Sequence, residues 1–281
     1  AGATRDGAFL VSLLNEASDQ LEEGERLIIA VDALDEVDLT RDSGNVLYLP
    51  AVLPNKVYFV VTRRQTPLPL TINVPQELFD LMQYRDEGLH DVQIYIREKT
   101  LSRSKLRAWV DEQGLEVASF VTTLAQKSGG NFMYVRYVLP EIEKGVYADL
   151  NIHSLPVGLE GYYDDHWRRM GMMARPLPRV KIRVVYVLSV AQRPISRSLI
   201  AQFATDETMQ VDELMVQEVL DEWDQFLHEK KENGTTLYSV YHASFRDFLH
   251  RKDIVQAAGV TIQGIHGLIA DDLWENLFDG A

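Results

Sequence analysis

Cysteine is absent from the 281 residues, which excludes a disulfide framework and a thiolate metal site and suits a reducing compartment. No run approaches the ~20 apolar residues that a membrane-crossing helix needs. The opening AGATRDGAFL also lacks the basic-then-apolar layout of a signal sequence. A cytoplasmic location without a membrane partner is the expectation. Basic residues are scarce: 28 Lys and Arg stand against 42 Asp and Glu, a net charge of −14. That balance works against broad attraction to nucleic acid or anionic lipid, so any phosphate chemistry must be local. No internal repeat or low-complexity tract stands out. What is present is 46% hydrophobic, enough to fill real cores in one large domain or a few small ones.

An amphipathic helix is predicted over 8–22, where Phe9, Leu10, Leu13, Leu14 and Leu21 fall near helical spacing. The stretch Arg26 to Glu36, RLIIAVDALDE, then gives a strand over Leu27 to Val31 that runs into Asp32, Asp35 and Glu36. A polar loop with Gly44 and Asn45 leads to a second strand in KVYFVVTRR, Lys56 to Arg64. Both apolar runs are continuous, the pattern of parallel strands covered on both faces. Asp32 and Thr62 should therefore share one sheet edge.

Beyond Pro75 the pattern is helical. Val117, Phe120, Val121 and Leu124 mark one helix stopped by Gly129-Gly130, and Asn131 can cap the next, with Phe132, Val135, Leu139 and Ile142 on one face and Pro140 as a kink. An aromatic helix with Tyr162, Tyr163 and Trp167, which reads as core, follows a turn at Leu155. From Pro178, three helices (180–190, 196–203 and 211–227) precede a hairpin turning at Asn233-Gly234. Ser244 and Asp247 then make a capping-box-like helix start. Three helices and a hairpin is the winged-helix order. Ile265, Leu268, Ile269, Leu273 and Leu277 suggest the start of a further helical unit. The fold class expected is α/β with a partial parallel sheet, followed by a helical and a winged-helix domain. The domains would be 1–75, 76–177 and 178–253, with 254–281 beginning another unit.

Carboxylates at the C-terminal end of a parallel strand lie where α/β sheets bind ligands. Asp32 could hold hydrated Mg²⁺, and Asp35 or Glu36 could orient a water toward a γ-phosphate. The same residues are equally compatible with a solvated strand exit, or with an acid and base pair for glycoside hydrolysis. Arg63 and Arg64 at the neighbouring strand end suit a polyphosphate better than a sugar. An Arg pair leaving a strand is also a common solvated loop.

Taken in order, LIIAVDALDE, VYFVVTRR, DVQIYIRE, SGGNFMYVRYVL, LPVGLEGYYDDHW and YHASFRDFL resemble the NACHT branch of the STAND signal-transduction ATPases, most nearly bacterial and fungal members with downstream repeats. The resemblance implies a P-loop ATPase sheet and a nucleotide-controlled oligomerisation switch using ATP or ADP with Mg²⁺. Its partners would be adenine nucleotide and either a second copy or sibling domains of a larger chain. By position, it implies that Asp32 is the Walker-B metal ligand and that the acidic pair Asp35 and Glu36 includes the water-activating residue. Arg64 matches the sensor-1 arginine of a TSR-like segment, with Arg63 in place of its serine. Gly130, Asn131 and Phe132 match a turn near the nucleotide base. His242 matches a winged-helix histidine that reaches the β-phosphate of ADP. Without the resemblance, His242 reads as a packing residue at a strand-to-helix junction.

One element of the family pattern is missing: no GxxxxGK[ST] phosphate loop occurs in the chain. The expectation is a piece of a larger protein that begins inside the nucleotide-binding domain and has little ATP turnover alone; a degenerate homologue is the alternative. Two other functions compete with the switch. A winged-helix DNA-binding regulator is opposed by the candidate recognition helix VDELMVQEVLDEWDQF, which carries acidic residues and no basic one. A carbohydrate-active hydrolase built on DALDE would need many more strands.

Overall fold

Residues Leu27–Val31 (β1) and Val57–Val61 (β2) form a parallel pair in the register Leu27↔Val57 to Val31↔Val61. This computed structural model describes residues 7–37 and 45–278, leaving out the side chains of 272 and 275–278. The chain divides into two compact units, 1–80 and 81–281. The polar loop expected around Gly44 lies outside the described residues.

In the first unit, helix α1 (Gly7–Gln20) precedes β1. Lys56, in the left-handed region at φ 61, donates from Nζ to the carbonyls of Leu21 and Glu22 at 2.8 Å each, tying the start of β2 to the beginning of the α1–β1 loop. Both strands appear where the apolar runs predict them, but the expected cover on both faces is not found. Ile28, Tyr58 and Val60 are 62%, 50% and 56% exposed. Burial alternates along each strand because only one face is packed. Continuous apolar sequence registers a strand's capacity for double cover; it does not supply the second layer.

The second unit opens with α2 (Arg85–Ser102), α3 (Ser104–Glu112), α4 (Val117–Ser128), α5 (Phe132–Glu143) and α6 (Gly158–Arg169). Gly129 ends α4 in the left-handed conformation at φ 60, as its position after the apolar stripe predicts. Asn131 caps α5, its Oδ1 accepting from Met133 N at 2.8 Å and Tyr134 N at 3.2 Å. Val135, Leu139 and Ile142 are buried, whereas Phe132, expected on that face, is 46% exposed. It occupies the first turn of α5, at the end of the stripe.

The chain continues as α7 (Arg179–Val190), β3 (Ile195–Ser196), α8 (Arg197–Ala204) and α9 (Glu213–Trp223), then the hairpin β4 (Leu227–Glu232) and β5 (Thr235–Val240). Asn233 at φ 49 and Gly234 at φ 81 make the two-residue turn. The antiparallel sheet has the order β3-β5-β4. Helices α10 (Ala243–Leu249), α11 (Lys252–Ala258) and α12 (Ile262–Phe278) complete the unit. The last of these packs on α7 and α8. A single core runs from Val92 to Ile265, with Tyr162, Tyr163 and Trp167 fully inside it.

Candidate functional site

At the C-terminal edge of the parallel pair, the register places Asp32 beside Thr62, as the two polar strand exits predict. Thr62 N donates to Val31 O at 3.0 Å and Leu34 N to Thr62 O at 2.9 Å, so the backbones stay paired past both strand ends. The Thr62 hydroxyl donates to Asp32 Oδ1 and accepts from Ala33 N at 2.9 Å. Between the two acidic positions, Ala33 sits in the left-handed region (φ 52, ψ 48) and turns the chain into a short 3-10 turn, Leu34–Glu36, with Leu34 wholly buried. A non-glycine residue there costs about 1 kcal/mol.

Asp35 and Arg64 form the second contact. Arg64 donates to Asp35 from its backbone N at 2.9 Å and from Nε at 2.6 Å. The Asp35 side chain is only 4% exposed, and that of Arg64 is 52% exposed. Hydrogen bonding from Arg64 outweighs burial and holds the Asp35 carboxyl below its ordinary range. Both Asp35 oxygens are thus engaged, while Glu36 is exposed. Arg63 turns instead to its own loop, donating to Thr66 O at 3.2 Å.

Among the described residues no group of three or more His, Cys, Asp or Glu could hold a metal. Among the described residues, the donor set at this edge is the exposed carboxylate of Asp32, backed by the Thr62 hydroxyl, with the exposed Glu36 on the turn beyond it. That suits Mg²⁺ carried mainly by water and phosphate oxygens and does not suit a metal held by protein ligands alone.

The remaining sequence candidates lie in the second unit. Gly130 (φ 79) donates its N–H to Ser128 Oγ at 3.1 Å, and Asn131 is committed to capping α5. Phe132 offers an exposed ring, edge-on to Tyr95 at 5.7 Å. His242 is half-buried and caps α10, its Nδ1 accepting from Ser244 N at 3.2 Å. This corrects the capping-box expectation for Ser244: the imidazole nitrogen takes the capping place two residues earlier, and Ser244 becomes a residue of the first turn. Next to it, Tyr241 is held by Arg136 of α5, which donates from Nη1 to the phenol oxygen at 2.5 Å and lies 4.3 Å from the ring centre.

Sequence reasoning missed a buried polar cluster joining α5, α6 and the turn before β4. Glu141 accepts from Tyr162 Oη at 2.9 Å and from Arg169 Nη2 at 2.9 Å. Gln225 Nε2 lies 3.1 Å from His166 Nδ1. Glu141 and His166 are 4% and 3% exposed. The signal available was weak: Glu141, His166 and Arg169 sit on helix stretches otherwise rich in buried aromatics.

No protein-family model matches the chain, and no curated protein matches it.

Proposed function

We propose that the chain is the regulatory core of a nucleotide-controlled oligomerisation switch of the NACHT type, working with a phosphate loop supplied by sequence outside these 281 residues. The observation that carries the proposal is the shared strand edge: Asp32 braced by Thr62, and Asp35 clasped by Arg64, at the C-terminal end of a parallel pair. In this reading Asp32 anchors Mg²⁺ on the nucleotide phosphates. The exposed Glu36 orients the attacking water, and Asp35 fixes the arginine. Phosphoryl transfer asks mainly for such positioning and charge neutralisation. Phe132 supplies a face for the base, and His242 a hydrogen bond to the β-phosphate in the ADP state. The three-helix and hairpin order from α7 to β5 is read as the winged helix of the switch.

Calorimetric titration of ADP and Mg²⁺ into the protein together with its phosphate-loop segment tests the proposal. Asp32→Asn should weaken Mg²⁺-dependent binding about tenfold, the loss of one charge-assisted contact. Affinity indifferent to both Mg²⁺ and Asp32→Asn would remove the site from this edge. The 281 residues alone should hydrolyse ATP negligibly, since carboxylates without a phosphate cradle have nothing to position.

A further inference from the structure

We propose that Tyr163 and Ser244 are positioning residues that hold His242 as a neutral donor, with its proton on Nε2, facing an anionic oxygen. The identity of that oxygen rests on the nucleotide reading above; the positioning does not.

The hydrogen bonds fix the direction of every proton in the chain. Ser244 N–H points at His242 Nδ1 over 3.2 Å. A backbone N–H can only donate, so Nδ1 must present its lone pair, and in the neutral ring the proton is then on Nε2. Ser244 Oγ lies 2.6 Å from the same Nδ1. Since that nitrogen carries no proton, the serine hydroxyl must be the donor. Ser244 Oγ, 2.9 Å from Tyr163 Oη, is left to accept, so the phenol donates. Burial pushes the Tyr163 phenol up, so it keeps its proton throughout the physiological range. The opposite assignment, with a proton on Nδ1, would set two N–H groups against each other at 3.2 Å.

Tyr163 cannot drift from this role. It is 1% exposed on α6, with its ring 5.2 Å from Phe245 and 5.4 Å from Phe248 of α10. The relay thus runs from the buried spine of the unit to a half-buried histidine whose Nε2 has no hydrogen-bond partner among the described residues. A fixed Nε2–H donor at the open end of the relay fits an anionic acceptor such as a phosphate oxygen. A ring able to exchange tautomers would present a lone pair part of the time and repel it. With Tyr241 pinned by Arg136, the bundle helices α5 and α6 both act on this junction.

Long-range ¹⁵N–¹H spectra of the histidine rings, with His242 assigned by His242→Gln, read the tautomer directly. Wild-type protein at pH 8 should show protonated Nε2 and unprotonated Nδ1. Each donor on Nδ1 biases the tautomer ratio about fivefold. Ser244→Ala keeps the backbone donor and loses the hydroxyl, so the ratio should fall about fivefold, and Ser244→Thr should restore it. Tyr163→Phe, which keeps the packed ring, should produce a smaller fall. A wild-type ring protonated on Nδ1, or a ratio unmoved by Ser244→Ala, would overturn the proposal. ADP and Mg²⁺ added to the same sample together with the phosphate-loop segment separate the two readings: a relay that is present while the Nε2–H signal ignores bound ADP leaves the positioning intact and removes the nucleotide from His242.

Discussion

Glutamine at position 141 should remove a pH-dependent part of the second unit's stability. Burial pushes the Glu141 carboxyl up, but the polar groups of His166, Tyr147 and Tyr162 around it, with the charge of Arg169, more than offset it and bring it from 4.5 down to about 2. A depressed folded-state value means that the stabilisation is complete above the unfolded-state value and is lost as pH falls toward 2. At 1.36 kcal/mol per pH unit the whole effect is about 3 kcal/mol, of which about 2 kcal/mol is lost between pH 6 and pH 3. Glu141→Gln is neutral throughout and cannot show this loss. It should cost about 2–4 kcal/mol at pH 6, because Arg169 loses its buried countercharge and keeps the more exposed Asp165, at 2.8 Å. The protein has 4 tryptophans, at 109, 167, 223 and 274, all in the second unit, so tryptophan fluorescence during urea unfolding follows that unit. The gap between wild type and Glu141→Gln should narrow by about 2 kcal/mol from pH 6 to pH 3. A gap that stays constant would mean that Glu141 does not carry its charge in the folded cluster.

Ala33→Gly should relieve the left-handed turn and stabilise the first unit by up to about 1 kcal/mol, seen as slower amide exchange in β1 and β2. Faster exchange there would show that the turn is not strained. Asp35→Asn should cost about 1–3 kcal/mol through the weakened clasp on Arg64. Exchange at Leu34 and Thr62 reports it, and no change would reduce the clasp to a surface ion pair.

Local turn chemistry made much of the fold legible. Gly129, Asn131 and the Asn233-Gly234 pair each do what their backbone preferences dictate, and both parallel strands lie where continuous apolar runs place them. The pairing of Asp32 with Thr62 followed from the parallel arrangement alone. What stayed hidden depends on contacts between elements distant in sequence. Apolar periodicity does not say which face finds a partner, so the exposure of Ile28, Val60 and Phe132 was unforeseen. The Glu141 cluster was invisible for a related reason: a charged residue on a helix reads as solvent-facing unless its buried partners are known. His242 as a helix cap was missed because imidazole is an uncommon capping group, and Ser244 two residues later offered the usual one.

The switch itself is tested most directly at His242. Alanine there would also remove the cap of α10, so His242→Ser, which keeps a capping oxygen and loses the reach of Nε2–H, is the cleaner substitution. A hydrogen bond made to ADP in one state only, worth about 1–3 kcal/mol, biases the closed form by that amount. Size-exclusion chromatography with light scattering, with the phosphate-loop segment and saturating ADP present, compares the two proteins. His242→Ser should raise the assembled population about 5- to 150-fold over wild type. A variant that remains as monomeric as wild type in ADP would contradict it.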